Sequence, residues 1–71
     1  MTDRIWTAAV LVIGDEILSG RTQDKNVSQI ATWLIVQGIR LREARVVAHV
    51  EDDIIAALHA LQARYDYVFT T

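Results

Sequence analysis

The sequence contains no cysteine. That removes disulfide frameworks, thiolate zinc sites and thiol catalysis, and it is compatible with a reducing compartment. A chain of 71 residues is therefore left to packing or to a partner for its stability. At such a length folding buries only roughly 60% of the surface that the unfolded chain exposes. Charge of one sign is scarce as well. Seven Lys and Arg against nine Asp and Glu give a formal net charge of −2, and the basic residues are spread along the chain. No field would draw in a phosphate backbone, so nucleic acid is not an expected partner. No apolar run approaches the roughly 20 residues of a membrane span. Asp3 interrupts the basic region that a signal peptide needs ahead of the apolar run, so the expectation is a soluble, cytoplasmic chain without a membrane partner. The three glycines form neither the Gly-x-Gly-x-x-Gly of dinucleotide folds nor the Gly-Lys-Ser/Thr ending of a P-loop. Nicotinamide binding and standard nucleoside-triphosphate hydrolysis are not indicated.

Hydrophobic residues make up 52% of the chain, and their pattern is informative. Ile5 to Ile13 is almost continuously apolar, as expected of a strand buried on both faces of a parallel sheet. From Gly14 to Asp24 polarity prevails without sustained period, apart from Ile17 and Leu18, which predicts a long loop. Asp24 or Asn26 can cap the helix that follows. Val27, Ile30, Ala31 and Leu34 recur at helical spacing, and Gly38 sits where a left-handed residue ends a helix, so a first helix is expected over about Lys25 to Gln37. From Ile39 to Val47 alternation of two predicts a less buried strand near a sheet edge. That alternation puts Arg40 and Arg42 on one face and Arg45 on the other, a solvated edge and not an anion stripe. Glu51, Asp52 and Asp53 suit a helix N-terminus, and Ile54, Leu58, Leu61 and Tyr65 mark a second amphipathic helix. A short strand over Tyr65 to Thr71 closes the chain.

The order β-α-β-α-β predicts an α/β fold: a doubly wound, mostly parallel sheet with helices on its faces. No internal repeat is present, and residues 1–71 are expected to form part of one domain. Ligands of such sheets lie beyond the carboxyl ends of the strands where strand order reverses. Half of that crevice is expected to lie outside these residues.

Attention therefore falls on the first loop, framed by Gly14 and Gly20 and carrying Asp15, Glu16, Ser19, Thr22, Asp24 and Asn26. Donors and acceptors of this kind can hold a heterocycle or a phosphate. Such composition also describes an ordinary solvated connection. Length favours a site, because most connections of this type take about 2–6 residues.

Val12-Ile13-Gly14-Asp15-Glu16-Ile17-Leu18-Ser19-Gly20-Arg21-Thr22-Gln23-Asp24-Lys25-Asn26 resembles the opening signature of the molybdopterin-binding (MoCF-type) domain. The branch it is most similar to contains competence/damage-inducible protein CinA and the N-terminal domain of eukaryotic FAD synthases. Gly38, Val46-Val47, Asp52-Asp53 and Tyr65 to Thr71 fall where that family has its helix end, second strand, second helix and third strand. The resemblance implies a three-layer α/β domain about twice this length, completed by a glycine-rich turn and an aspartate after the third strand. It implies a pterin, molybdopterin or a nucleotide as ligand, held by Gly14, Asp15, Glu16, Ser19, Gly20, Thr22, Asp24 and Asn26, with Thr70 and Thr71 at the end of the third strand. A homo-oligomer is expected of the full-length protein. Within the CinA-like branch it also implies an alternative, Mg²⁺-dependent hydrolysis of nucleotide pyrophosphates such as ADP-ribose, with the metal on Asp15 and Asp24.

Each assignment has a plainer counterpart. Asp24 can be solely a helix cap, Glu16 can face water, and Ser19, Thr22 and Asn26 can bond locally to backbone. None of the hydroxyls has a neighbouring histidine to make it a nucleophile. His49 and His59 read as surface residues. Trp33, beside the helical stripe, covers either core or a subunit contact.

Overall fold

The computed structural model describes residues 4–71. Strand β1 (Trp6–Ile13) leads through a one-turn helix α1 (Asp15–Leu18) to helix α2 (Asn26–Val36). Strand β2 (Ile39–Val47), helix α3 (Glu51–Gln62) and strand β3 (Tyr67–Thr70) follow. The three strands form one parallel sheet in the order β2-β1-β3.

Burial explains why β1 is central. Ala8, Ala9, Val10 and Leu11 are fully buried and Val12 nearly so, whereas Ile5 remains outside the strand and exposed. Both faces of such a strand need cover. The chain crosses from β1 to one side, then back past β1 to the other. Right-handed crossovers in opposite directions place α2 and α3 on opposite faces, which yields helix, sheet and helix as three layers. On one face Ala9 and Leu11 pack with Ala57 and Leu61, and Ile13, Val47, Ile54, Leu58, Tyr65 and Val68 close around them. The stripe read from the sequence of the second helix is thus the buried one, with Tyr65 lying just past the helix end.

In α2 the expected stripe also faces inward: Leu34 is fully buried and Val27, Ile30 and Ala31 are half-buried. Trp33 is 56% exposed, so it does not cover the core. The helix ends as the sequence indicates. Gly38 takes φ 80° and donates its N–H to Ile35, a left-handed conformation that other residues rarely tolerate.

β2 is an edge strand, but its faces do not follow from alternation alone. A bulge shifts the register between Ala8 and Ala9, so that Ala8 pairs with Leu41 and Ala9 with Glu43. Arg42 is the extra residue. Before it Ile39 and Leu41 lie level with Trp6 and Ala8; after it Glu43, Arg45 and Val47 lie level with Ala9, Leu11 and Ile13. The odd-numbered residues therefore change faces partway along the strand. The expected separation of Arg40 from Arg45 is corrected accordingly: Arg40 is level with Thr7 and Arg45 with Leu11, both on the α3 side.

The bulge delivers Glu43 to a polar clip. Its carboxylate accepts from the Tyr65 hydroxyl at 2.7 Å and from Arg45 Nε and Nη2 at 3.0 and 2.7 Å. The Tyr65 bond, then Arg45, holds the Glu43 carboxyl below its ordinary range, and the same bond raises the Tyr65 phenol. A second clip ties the start of the sheet together. Asp66 accepts from the Thr7 backbone N–H at 2.9 Å and from the Thr7 hydroxyl at 3.1 Å, and it pairs with Arg4.

The Thr7 amide, then the Thr7 hydroxyl and Arg4, lower the Asp66 carboxyl from its usual value. A lowered carboxyl contributes stability above its unfolded pKa, about 3.9, and loses it as the pH falls through the folded value. Thermal melts across acid pH should show Asp66→Asn less stable than the parent near neutrality, with the gap narrowing below about pH 4. A gap independent of pH would show that the Asp66 charge contributes nothing.

Candidate functional site

The carboxyl ends of β1 and β3 face a cleft of about 420 Å³. Strand order 2-1-3 makes the gap between these two strands the point where the connections diverge to opposite faces, the position at which open α/β sheets hold ligands. Val12, Ile13 and Thr71 form the strand side of the cleft, and Ile17 adds an apolar wall from α1. Glu16, Thr22, Gln23, Asp24, Lys25 and Asn26 form its polar side. Two backbone bonds hold the strand ends in place, from Ile13 N–H to Thr71 and from Thr71 N–H to Leu11.

Residues 14–25 are more ordered than an irregular loop. The turn α1 is too short to be stable alone, and external contacts hold it. Gly14 donates to the Val47 carbonyl at 3.1 Å. The Asp15 carboxylate accepts from the His49 backbone N–H at 3.0 Å, reaching the segment between β2 and α3. The Glu16 carbonyl receives Arg21 N–H, Thr22 N–H and the Ser19 hydroxyl. Gly14 also permits a close approach: a β-carbon there would stand 2.7 Å from a carboxylate oxygen of Glu16. Any side chain at position 14 would push that carboxylate away.

Asp24 is half-buried and accepts from the Val27 N–H at 3.1 Å, so it satisfies an amide of the first turn of α2. It is also on the cleft. Its capping role and its place on the cleft coexist.

Of the residues expected at the site, Glu16, Thr22, Asp24, Asn26 and Thr71 line one cleft. Gly14, Asp15, Ser19, Gly20 and Thr70 do not. Gly14 and Ser19 shape the turn, Gly20 adopts φ 79°, and Asp15 is engaged with His49. Sequence reasoning missed Val12, Ile13, Ile17, Gln23 and Lys25 as lining residues. The strand residues carried no polar signal, although ending β1 at the ligand edge was itself a clue. His49 enters through its amide and not its ring.

Magnesium can be tested against this donor set. Among the described residues no group of three or more His, Cys, Asp and Glu is placed to hold a metal ion. Glu16 and Asp24 are the acidic residues on the cleft. Two carboxylates suit a magnesium ion when a phosphate supplies further oxygens, and do not form a closed cage by themselves.

The sheet and its cleft define an open α/β domain with a crevice at its strand ends. The family model for "probable molybdopterin binding domain" matches residues 9–71, and the chain belongs to that family. It is 38% identical over 65 residues to a "Probable FAD synthase" of Caenorhabditis elegans, covering 92% of this chain and 12% of that protein. It is 44% identical over 63 residues to a "CinA-like protein" of Citrifermentans bemidjiense, covering 89% of this chain and 15% of that one. The crystal structure of a CinA protein of unknown function from Thermoplasma acidophilum superposes with a TM-score of 0.85 at 33% identity, over 90% of this chain and 38% of that chain. The chain thus spans much less than two thirds of the length of these relatives. Among the described residues no helix is long and apolar enough to cross a membrane.

Capping at Asp24 has a measurable consequence. Asp24→Ala should destabilise the fold by about 1 kcal/mol, whereas Asp24→Asn, which retains an acceptor, should cost only a few tenths. Denaturant unfolding of both variants checks this, and equal losses would remove the cap from the account.

Proposed function

We propose that this domain binds a pterin, in the first instance molybdopterin, or a related nucleotide in the cleft between the ends of β1 and β3. One observation carries the reading: five residues singled out in the sequence, Glu16, Thr22, Asp24, Asn26 and Thr71, converge on that single cleft. Its chemistry suits a flat heterocycle with polar edges. Val12, Ile13 and Ile17 offer apolar contact. Carboxylates accept ring N–H and amino groups, and amides and hydroxyls can both donate and accept. Lys25 is the basic residue on the lining, and it favours an acidic group on the same ligand. Pterins and nucleotides combine these features, and membership of the family supports the pterin.

Metal-dependent hydrolysis of a nucleotide pyrophosphate is the second reading. The pair Glu16 and Asp24 favours it, as a place where magnesium shared with a diphosphate could be held.

The test uses the complete protein, titrated calorimetrically with molybdopterin and separately with ADP-ribose in magnesium. Molybdopterin binding is expected, weakened about tenfold in Asp24→Asn, since hydrogen bonds to charged groups carry about that factor. Release of AMP from ADP-ribose, abolished by the same substitution, would replace binding by hydrolysis as the function. A folded protein that takes up neither compound would falsify both readings.

A further inference from the structure

Family resemblance makes Asp15, with Asp24, an acidic position of the site, yet its geometry gives it other work. The Asp15 carboxylate accepts the His49 amide at 3.0 Å, from a segment far along the chain, and Asp15 is absent from the cleft lining. Its neighbour behaves in the opposite way. Glu16 is on the cleft, its carboxylate stands over Gly14, and its carbonyl gathers Arg21 N–H, Thr22 N–H and the Ser19 hydroxyl. Glu16 is therefore the hub of the loop, and Asp15 is the side chain that fixes that hub to the rest of the molecule. Consecutive residues of a helical turn point in different directions, about a quarter-turn or more apart. Once Asp15 is turned to the β2–α3 segment, Glu16 is aimed elsewhere.

We propose that Asp15 is a positioning residue, a brace between the first loop and the β2–α3 segment, and that Glu16 is the carboxylate that meets the ligand. The division rests on the binding function proposed above. It explains why two adjacent acids, chemically alike, need not be interchangeable. An acceptor suffices at position 15, since the partner is a neutral amide. At position 16 the charge itself matters, because it faces N–H groups or a cation of the ligand.

Three variants of the complete protein separate the roles: Asp15→Asn, Asp15→Ala and Glu16→Gln. Two readouts are needed, hydrogen exchange of the His49 amide and calorimetric affinity for molybdopterin. Asp15→Ala should speed His49 exchange about tenfold and weaken binding, as loss of one charge-assisted hydrogen bond predicts. Asp15→Asn should keep most of the protection and bind within about threefold of the parent, for the amide oxygen still accepts. Glu16→Gln should leave His49 protected and lose about tenfold in affinity. Affinity lost in Asp15→Asn with His49 still protected would overturn the proposal, because the Asp15 charge would then act on the ligand directly. His49 exchange unchanged in Asp15→Ala would overturn it even if the protein bound no pterin, so the brace and the binding function fail by different signs.

Discussion

The whole arrangement depends on one strand being buried from both sides. Fully covering an aliphatic side chain is worth roughly 1.5–3 kcal/mol, and β1 places Val10 and Leu11 in full burial on opposite faces. A sequence this apolar cannot sit at an edge without exposing half of that gain. It must have strands on both sides and helices above and below, and parallel pairing with crossovers supplies both. The small residues matter as much as the large ones. Ala9 meets Ala57 in the core, so α3 can lie close to the strand it covers. With β1 in the middle, the neighbouring connections leave in opposite directions, and the gap this opens at its carboxyl end is the cleft.

Much of this was legible in the residues. The continuous apolar run predicted the central strand, the stripes from Val27 to Leu34 and from Ile54 to Tyr65 are the buried faces of the two helices, and Gly38 ends α2 as read. The bulge was not legible. Alternation in Ile39–Val47 is nearly perfect, and nothing in it marks Arg42 as the residue without a partner opposite. A bulge is decided by what the neighbouring strand and helices need. Here the exchange of faces lets Ile39 and Leu41 turn to one side while Glu43 reaches the other, where Tyr65 and Arg45 bind it. The third strand begins at Tyr67 and not at Tyr65, because the Tyr65 N–H is still bonded to the Leu61 carbonyl at the end of α3.

The site divides along the same line. Family likeness located the loop, and five of the expected residues meet there. Which of them face inward depends on a helical turn of four residues, too short for any periodicity to reveal. Its direction is set by contacts to Val47 and His49, distant partners that a local pattern does not announce. The apolar lining was hidden for another reason. Val12 and Ile13 serve the core as well as the cleft, and burial accounts for them before any ligand is considered.

These dual roles bear on how such a site works. Three stretches of chain meet at the cleft, the end of β1, residues 16–26 and the end of β3; the strand ends are joined through Ile13, Thr71 and Leu11, and the first loop is tied to Val47 and His49. A ligand touching all three stretches would add cross-links to these, and it would stabilise the folded state by mass action. At the opposite edge Asp66, Thr7 and Arg4 join β3 to the start of β1. Both ends of the central strand are thus tied to their neighbours, and the cleft opens at the carboxyl end of a strand fixed by its core.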